Sequence, residues 1–500
     1  MTLWSHEDTR GEVRHDVDDV IIGSGPGGAA MARVLAERGR RVMMVEQGPS
    51  KPNFRPNMAH TMRYHMQEGG SMVAMGSAPV SVAAGRGVGG GSLINSAICW
   101  RTPEHVLERW VEVLGGDNRY GPAVLTEVFD ELSDLLQITQ TWDGIAGENN
   151  KLIVRGAEAL GLKGGLLHRN APLCVGCGIC NYGCPSGGKA SVDKNLIAMA
   201  RAAGAIVQGD CTVETVLIEG GRAVGVVGTV QHTDTREVVG RLTVRAKRVI
   251  VAAGAIGTPR LLHQAGLAGR LGPAVGRGLH LHPGNGVFGL CDHEVFMWRG
   301  ATQGAYFEDP ALPGVLPHTL NLPPGALALA MGRVGLEAKE NLAMAPRMCG
   351  CLVMVSDKGE GTVGVHADGT ANITYEFAPV DIDNMRKGLI RTCEVLLAGG
   401  ARRLLVPVHG VGWCDTLEEA RAGILGASLT DYRVLYAAHP MATCRMGVDP
   451  ATSVIGPDGQ AHGLAGLYIA DSSIFPTALG VNPQLTTMAL ATVMARHLAS

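Results

Sequence analysis

Residues 18–46 read DDVIIGSGPGGAAMARVLAERGRRVMMVE. Val20, Ile21 and Ile22 form an apolar run of strand length, and residues 41–45 form a second, closed by Glu46. Between them Gly23, Gly25 and Gly28 have the G-x-G-x-x-G spacing. A helix is predicted from about residue 27 to residue 37, ended by Gly39. The three glycines have separate tasks: one makes the tight turn, one lets backbone approach a pyrophosphate, and one lets helix lie on strand. The helix N-terminus offers unpaired N–H groups and a partial positive charge to phosphates. Glu46 stands where a carboxylate accepts hydrogen bonds from ribose hydroxyls. A glycine-rich turn in an ordinary α/β unit explains the turn but leaves Glu46 without a purpose. The stretch therefore predicts a dinucleotide site.

Around this unit the chain has 500 residues, enough for two or three domains with ample core. Its formal charge of −3, from 43 basic and 46 acidic side chains, gives no reason to expect nucleic acid or an anionic membrane as partner. Aromatics are 4% of the chain, so a pocket lined by Met, Leu, Val and Ala is expected over one built on aromatic stacking. Residues 1–16, MTLWSHEDTRGEVRHD, read as a polar N-terminal tail without the apolar core of a secretory signal. No run of about twenty apolar residues predicts a transmembrane helix. The expected location is cytoplasmic, with the twelve cysteines reduced or bound to metal.

Residues 51–80, rich in Met, Pro and Gly, read as loop. Residues 85–95, GRGVGGGSLIN, pack so many glycines before an apolar segment that backbone lying against a flat ligand is expected. With the opening strand, turn and helix, this block resembles the glucose–methanol–choline (GMC) flavoprotein oxidoreductases. The resemblance recurs at residues 254–262 (GAIGTPRLL), 439–447 (HPMATCRMG), 469–473 (IADSS) and Asn482-Pro483. It implies FAD rather than NAD, and oxidation of an alcohol. It implies an α/β fold: a Rossmann-like FAD-binding domain from residues 17–280 and 431–500, and a substrate domain from residues 281–430 whose antiparallel sheet roofs the flavin. By the same resemblance Gly23, Gly25, Gly28, Glu46, Arg86, Gly90, Ser92, Asn95, Ala253, Gly254, Asp471, Ser472 and Pro483 contact FAD, and Val213 pairs its backbone with the adenine. His439 matches the family's catalytic histidine, and Asn482 its second catalytic position.

The chemistry asks for these residue types. Hydride transfer from an alcohol needs a base for the hydroxyl proton, a flavin N5 over the carbinol hydrogen, and a polar group holding the oxygen. A base working near neutral pH favours histidine. Asn482 before Pro483 also reads as an N-cap opening a helix over residues 483–498, and Asp471 as a cap of its own. His280 and His282 lie where the family often has Asp-His-Pro, with Leu281 in the Asp position. The loop at about residues 171–191 holds Cys174, Cys177, Cys180 and Cys184, spaced C-x2-C-x2-C-x3-C-P as in bacterial ferredoxins. An iron–sulfur cluster of the [4Fe-4S] or [3Fe-4S] type is expected. A structural zinc, which usually takes two separated cysteine pairs, and free or disulfide-linked thiols are the alternatives. The long-chain fatty alcohol oxidase-like branch of the family carries a similar cysteine-rich segment followed by Gly-x-Lys-x-Ser, here residues 187–191.

Helices are also expected at residues 103–140, with Val124, Val128, Leu132 and Leu135 on one face, at residues 148–161 and 192–203, and at residues 381–398. Strands are expected at residues 205–209, 213–218, 222–230, 243–252, 347–356 and 361–376. Met297, Met331, Met344, Met348 and Met354, with Leu320, Leu322, Leu327 and Leu329, point to an apolar alcohol, although core packing explains any one of them. The expected function is FAD-dependent alcohol oxidation, with electrons leaving through the cluster to a redox protein or quinone. The alternatives are an oxidase passing electrons to O2 to make H2O2, a lyase that keeps FAD without net redox chemistry, and an electron-transfer subunit.

Overall fold

The computed structural model describes residues 2–55 and 57–499. Two large sheets organise it. The first is built on Gly11–Ile22, which runs parallel to Val42–Val45 on one side and to Val238–Val251 on the other. Val20, Ile21, Val42, Met43, Met44 and Val45 are all buried, the continuous apolar signature of parallel strands covered on both faces. The helix between the first two strands is Pro26–Glu37, with Gly25 at its N-cap and Pro26 at its first position. Val238–Val251 carries antiparallel Arg222–Gln231 along its first half and parallel Leu467–Ile469 along its last three residues. The expected return of this strand to the nucleotide sheet holds, and the strand is longer than expected.

Residues 1–16 are not a tail over most of their described length. Leu3–Trp4 pairs with Ile206–Gln208, and residues 11–16 begin the long strand beside residues 240–245. Their partners lie over two hundred residues away, so local pattern did not reveal them. Residues 51–80, expected as loop, hold the helix Met58–His65 and the strands Val73–Gly76 and Val80–Val82. Asn57 caps that helix by accepting from His60 N at 3.2 Å. The helical region 103–140 divides into Glu104–Val113 and Pro122–Leu135. The buried face of the second is Leu125, Val128, Phe129 and Leu132, so Val124, expected inside, faces solvent. Residues 361–376, expected as one strand, form the hairpin Glu360–Val365 and Ala371–Glu376.

The second sheet centres on Gly284–Cys291, Met348–Val355 and Val315–Thr319, all antiparallel. Side chains alternate across it with the period of the pleat. Val287, Cys351 and Val353 pack beneath the helix Pro379–Ala398 with Leu389 and Cys393. The opposite face, with Gly286, Phe288, His318, Leu320, Leu352 and Met354, roofs a cavity that the first sheet floors.

Candidate active site

That cavity has a volume of about 610 Å3. Its floor is the turn at Gly23, Ser24 and Gly25 and the start of Pro26–Glu37, a helix whose N-terminus carries no side-chain cap. The second glycine block lies directly against this turn: a Cβ on Gly90 would come within 2.6 Å of Gly25 Cα. Gly28 does not line the cavity. A Cβ there would sit 2.2 Å from Gly23 O, so Gly28 is the glycine that lets helix rest on strand. Backbone without side chains over an open helix end suits the pyrophosphate of a dinucleotide.

Glu46 lines the cavity, yet its carboxylate is occupied by the protein. It accepts from Ser24 N at 3.1 Å and Ser24 Oγ at 2.8 Å, and from Gly48 N at 2.9 Å and Gly87 N at 3.2 Å. It ties the two glycine loops together, a role its position at a strand end did not announce. Arg86 turns away from the cavity to donate to Gln47 O at 2.9 Å. Burial and the nearby Arg236 lower its basicity to about 10. Ser92 spends its hydroxyl on Gly89 O, and Asn95 its amide on Gln484 Oε1. What this block offers the cavity is chiefly backbone. Val213, Ala253, Gly254, Asp471, Ser472 and Pro483 all line it. Asp471 is also a cap: it accepts from Ser473 N at 2.8 Å and from Gly254 N at 2.9 Å, binding two cavity loops together. Burial raises its pKa.

His439 and Asn482 meet across the cavity, with Asn482 Nδ2 3.0 Å from His439 Nε2. The helix begins at Gln484, and Pro483 O accepts its first bond, from Thr487 N. Asn482 is therefore not the N-cap. Its amide faces the histidine instead, with Oδ1 buried and unpartnered. His439 sits on a loop fixed from both sides: Met441 exchanges backbone bonds with His280, and Ser472 Oγ donates to Pro440 O at 3.0 Å. Two further histidines were not anticipated as neighbours of this pair. His282 stacks edge-on to His439 with ring centroids 5.6 Å apart, and accepts from Gly480 N at 3.0 Å. His318 Nε2 is buried without a partner. Pleat alternation from Leu320 was the signal that places His318 on the cavity face. The carboxylate absent at Leu281 is supplied to this loop by Asp357, which accepts from Leu281 N, His282 N and Tyr375 Oη.

Burial pushes His439 well below 6.5, and repulsion from His282 and His318 adds to it, with Asp357 opposing. His282 and His318 are pushed down to about 4 by burial. All three are neutral near pH 7, and a neutral imidazole is what accepts a proton. Were His439 the base, flavin reduction by substrate would hold its full rate down to pH 6.5 and fall only in more acid solution, where the ring is protonated. Rapid mixing under argon across the neutral and mildly acid range measures this. An acid limb centred at or above 6.5 contradicts it.

Two family models, each described as GMC oxidoreductase, match residues 62–284 and 359–491. The chain belongs to the GMC oxidoreductase family. An uncharacterized GMC-type oxidoreductase of Mycobacterium tuberculosis (strain H37Rv) is 35% identical over 96% of this chain and 75% of its own length. The long-chain-alcohol oxidase FAO1 of Arabidopsis thaliana is 28% identical over 97% of this chain and 67% of its own. Among solved structures, pyridoxine 4-oxidase shares the fold with a TM-score of 0.72 at 19% identity, covering 96% of this chain and 98% of that one. Formate oxidase does so with a TM-score of 0.73 at 16% identity, covering 98% of both chains. This GMC protein is thus an FAD-dependent oxidoreductase acting on CH–OH donors, and the expected family and fold class hold.

The cysteine loop of this GMC chain borders the same cavity, since Asn181 and Tyr182 line it. All twelve cysteines are free thiols. Cys174, Cys177, Cys180 and Cys184 do not converge as expected for ligands of one metal: among the described residues, no three His, Cys, Asp or Glu side chains group to hold an ion. A structural zinc finds no ligand set here. The four thiols remain within electrostatic reach, because Cys180, Cys184 and Cys174 all push Cys177 upward, after burial. A donor set of thiols alone suits an iron–sulfur cluster in kind. Of the methionines and leucines expected around substrate, Met354, Leu320, Leu322 and Leu329 line the cavity. Met297, Met331, Met348 and Leu327 pack in a separate core. Met58, Met62 and Met66 line the cavity from the unexpected helix and its end.

Proposed function

We propose that this chain oxidises an apolar alcohol to the aldehyde or ketone, with His439 as base and Asn482 holding the oxygen. The observation that carries the reading is the half-buried His439–Asn482 pair, 3.0 Å apart, in a cavity that joins the glycine cradle to an apolar roof. FAD in the cradle would supply the hydride acceptor at its N5. His439 Nε2 would take the hydroxyl proton of the alcohol. Asn482 suits both states of the ring: Nδ2 donates to bare Nε2, and the unpartnered Oδ1 accepts from Nε2–H once the amide turns over. Phe288, Leu320, Leu352 and Met354 exclude water above the reacting carbon. Leu322 and Leu329 extend that apolar wall, which favours an aliphatic substrate over a sugar.

For the electrons' exit, Cys174, Cys177, Cys180 and Cys184 would hold an iron–sulfur cluster supplying one-electron steps to a redox protein or quinone. Its support is the thiol-only donor set, a loop that borders the cavity at Asn181 and Tyr182, and a solvent face at Cys177 flanked by exposed Leu173 and Val175. The names of the relatives favour a second reading, direct transfer to O2. Iron and acid-labile sulfide, assayed with the absorption spectrum on protein purified without air, separate the two. Iron and sulfide beside the flavin bands support the cluster, and Cys177→Ser should then keep anaerobic flavin reduction while slowing turnover with a one-electron acceptor. Clean flavin bands without iron, with rapid oxygen uptake, establish the oxidase.

A further inference from the structure

Three loops far apart in sequence are locked together beside the cavity. Two buried cations do much of this. Arg169 Nε donates to Ser96 O at 2.9 Å. Lys189 Nζ donates to Leu93 O and Asn95 O at 2.9 Å and to Cys180 O at 3.4 Å. Cys180 N in turn donates to Thr302 Oγ1 at 3.2 Å, and Cys177 makes a parallel bridge to Gly300. The clamp brings Ser96, Asn181 and Gln303 into contact. Ser96 Oγ lies 2.6 Å from Asn181 Oδ1 and is also within hydrogen-bond reach of Gln303 Oε1. All three residues line the cavity, and the chemistry at His439 uses none of them.

The three side chains do not satisfy one another. Ser96 has one hydroxyl proton and cannot serve two amide oxygens. However the amides turn, N–H donors are left over. Neither Asn181 Nδ2 nor Gln303 Nε2 has a partner among the described residues. The backbone is strained there as well. Gln303 has φ 48° and Ala97, next to Ser96, has φ 63°, in the left-handed region that residues other than glycine rarely adopt. Asn321 Oδ1 holds Gln303 in place by accepting from its N–H at 2.8 Å. Asn321 is three residues past His318 on the roof, a reach of about 10 Å at most. Leu320 and Leu322, on either side of it, line the cavity. An apolar stretch therefore separates these amides from the histidines.

We propose that Ser96, Asn181 and Gln303 form a specificity subsite for a second oxygen of the substrate, a hydroxyl or carbonyl carried on an apolar chain away from the carbinol that is oxidised. The inference rests on the alcohol-oxidation reading above and deepens it. A plain alkyl chain that displaces water from the subsite leaves its donors unpaired, whereas an acceptor oxygen pairs them. The cysteine loop then has a use that asks nothing of its thiols: it presents Asn181.

The test compares straight-chain primary alcohols with the same chains bearing a hydroxyl at the far end, over a series of lengths. The rate of flavin reduction at limiting alcohol is measured under argon on wild type, Asn181→Leu and Gln303→Met, each assayed for FAD content and melting temperature. Tertiary alcohols with and without the far hydroxyl, which have no carbinol hydrogen to lose, give dissociation constants from the shift of the flavin band. The expected result is a preference of about tenfold or more for the second hydroxyl at one chain length in wild type, in rate and in binding, falling to near unity in both variants. No preference in wild type at any length, or an unchanged preference in both variants, overturns the subsite, and the wild-type comparison decides alone where a variant does not fold. Loss of FAD from both variants at an unchanged melting temperature assigns the three side chains to the cofactor and overturns it too. The binding preference without flavin reduction by any alcohol keeps the subsite and overturns the alcohol-oxidation reading.

Discussion

His439→Ala keeps its FAD and loses reduction of the flavin by alcohol by about a hundredfold or more, the scale of a lost general base. The side chain is half-buried and faces Asn482 across the cavity, while the glycine cradle belongs to other loops. Removing the imidazole leaves the cradle and the helix end intact, so cofactor content is the control for folding. The neighbouring histidines do not replace it. His282 Nε2 already accepts from Gly480 N, and His318 comes from the roof rather than from the Asn482 side. Rapid-reaction spectroscopy under argon gives the rate directly. A variant that reduces its flavin at the wild-type rate removes His439 from the mechanism.

The second large effect separates two glycines of the opening turn. Gly25 has an ordinary backbone conformation, with φ −68°. A Cβ built there meets only Gly90 Cα, at 3.9 Å, and the residue lines the cavity. Gly25→Val should therefore fold as wild type but bind FAD about tenfold to a hundredfold more weakly, because its methyls occupy the path of the pyrophosphate. Gly28→Ala acts on the fold instead. Its Cβ would lie 2.2 Å from Gly23 O and 3.3 Å from Ala252 Cβ, neither of which can move without parting helix from strand. The expected cost is about 3 kcal/mol or more. It appears as a lower melting temperature in the cofactor-free protein, where Gly25→Val shows none. Equal losses of stability in the two variants contradict the division of labour.

What could be read from the chain alone was what its local chemistry spells out. The strand, turn and helix around Gly23–Gly28 need no partner to be recognised, since glycine spacing and apolar runs carry them. His439 and Asn482 were found because each precedes a proline in a block typical of the family. The readings that failed concern partners far away in sequence. Residues 11–16 are polar and look like a tail until residues 240–245 arrive beside them. Glu46 lines the cavity where a ribose is expected, and nothing local reports that Gly87 N also reaches its carboxylate. Asn482 was read as a cap by the rule for Asn-Pro, and His439 draws its amide elsewhere. His318 sits in an apolar strand between Met348–Val355 and Ala305–Glu308, and its alternation with Leu320 is the one local hint of its facing. The cysteine run was legible as a motif, whereas the buried cations behind it come from the strand at Arg169 and from Lys189 downstream of the motif.

The most direct measurement is a titration of the FAD-loaded protein with aliphatic primary alcohols of increasing chain length under argon, following the visible flavin band. The account predicts that the band bleaches, that aldehyde forms in step with the flavin reduced, and that longer alcohols act at lower concentration. A flavin that stays oxidised with every alcohol in the series, while FAD remains bound, contradicts it.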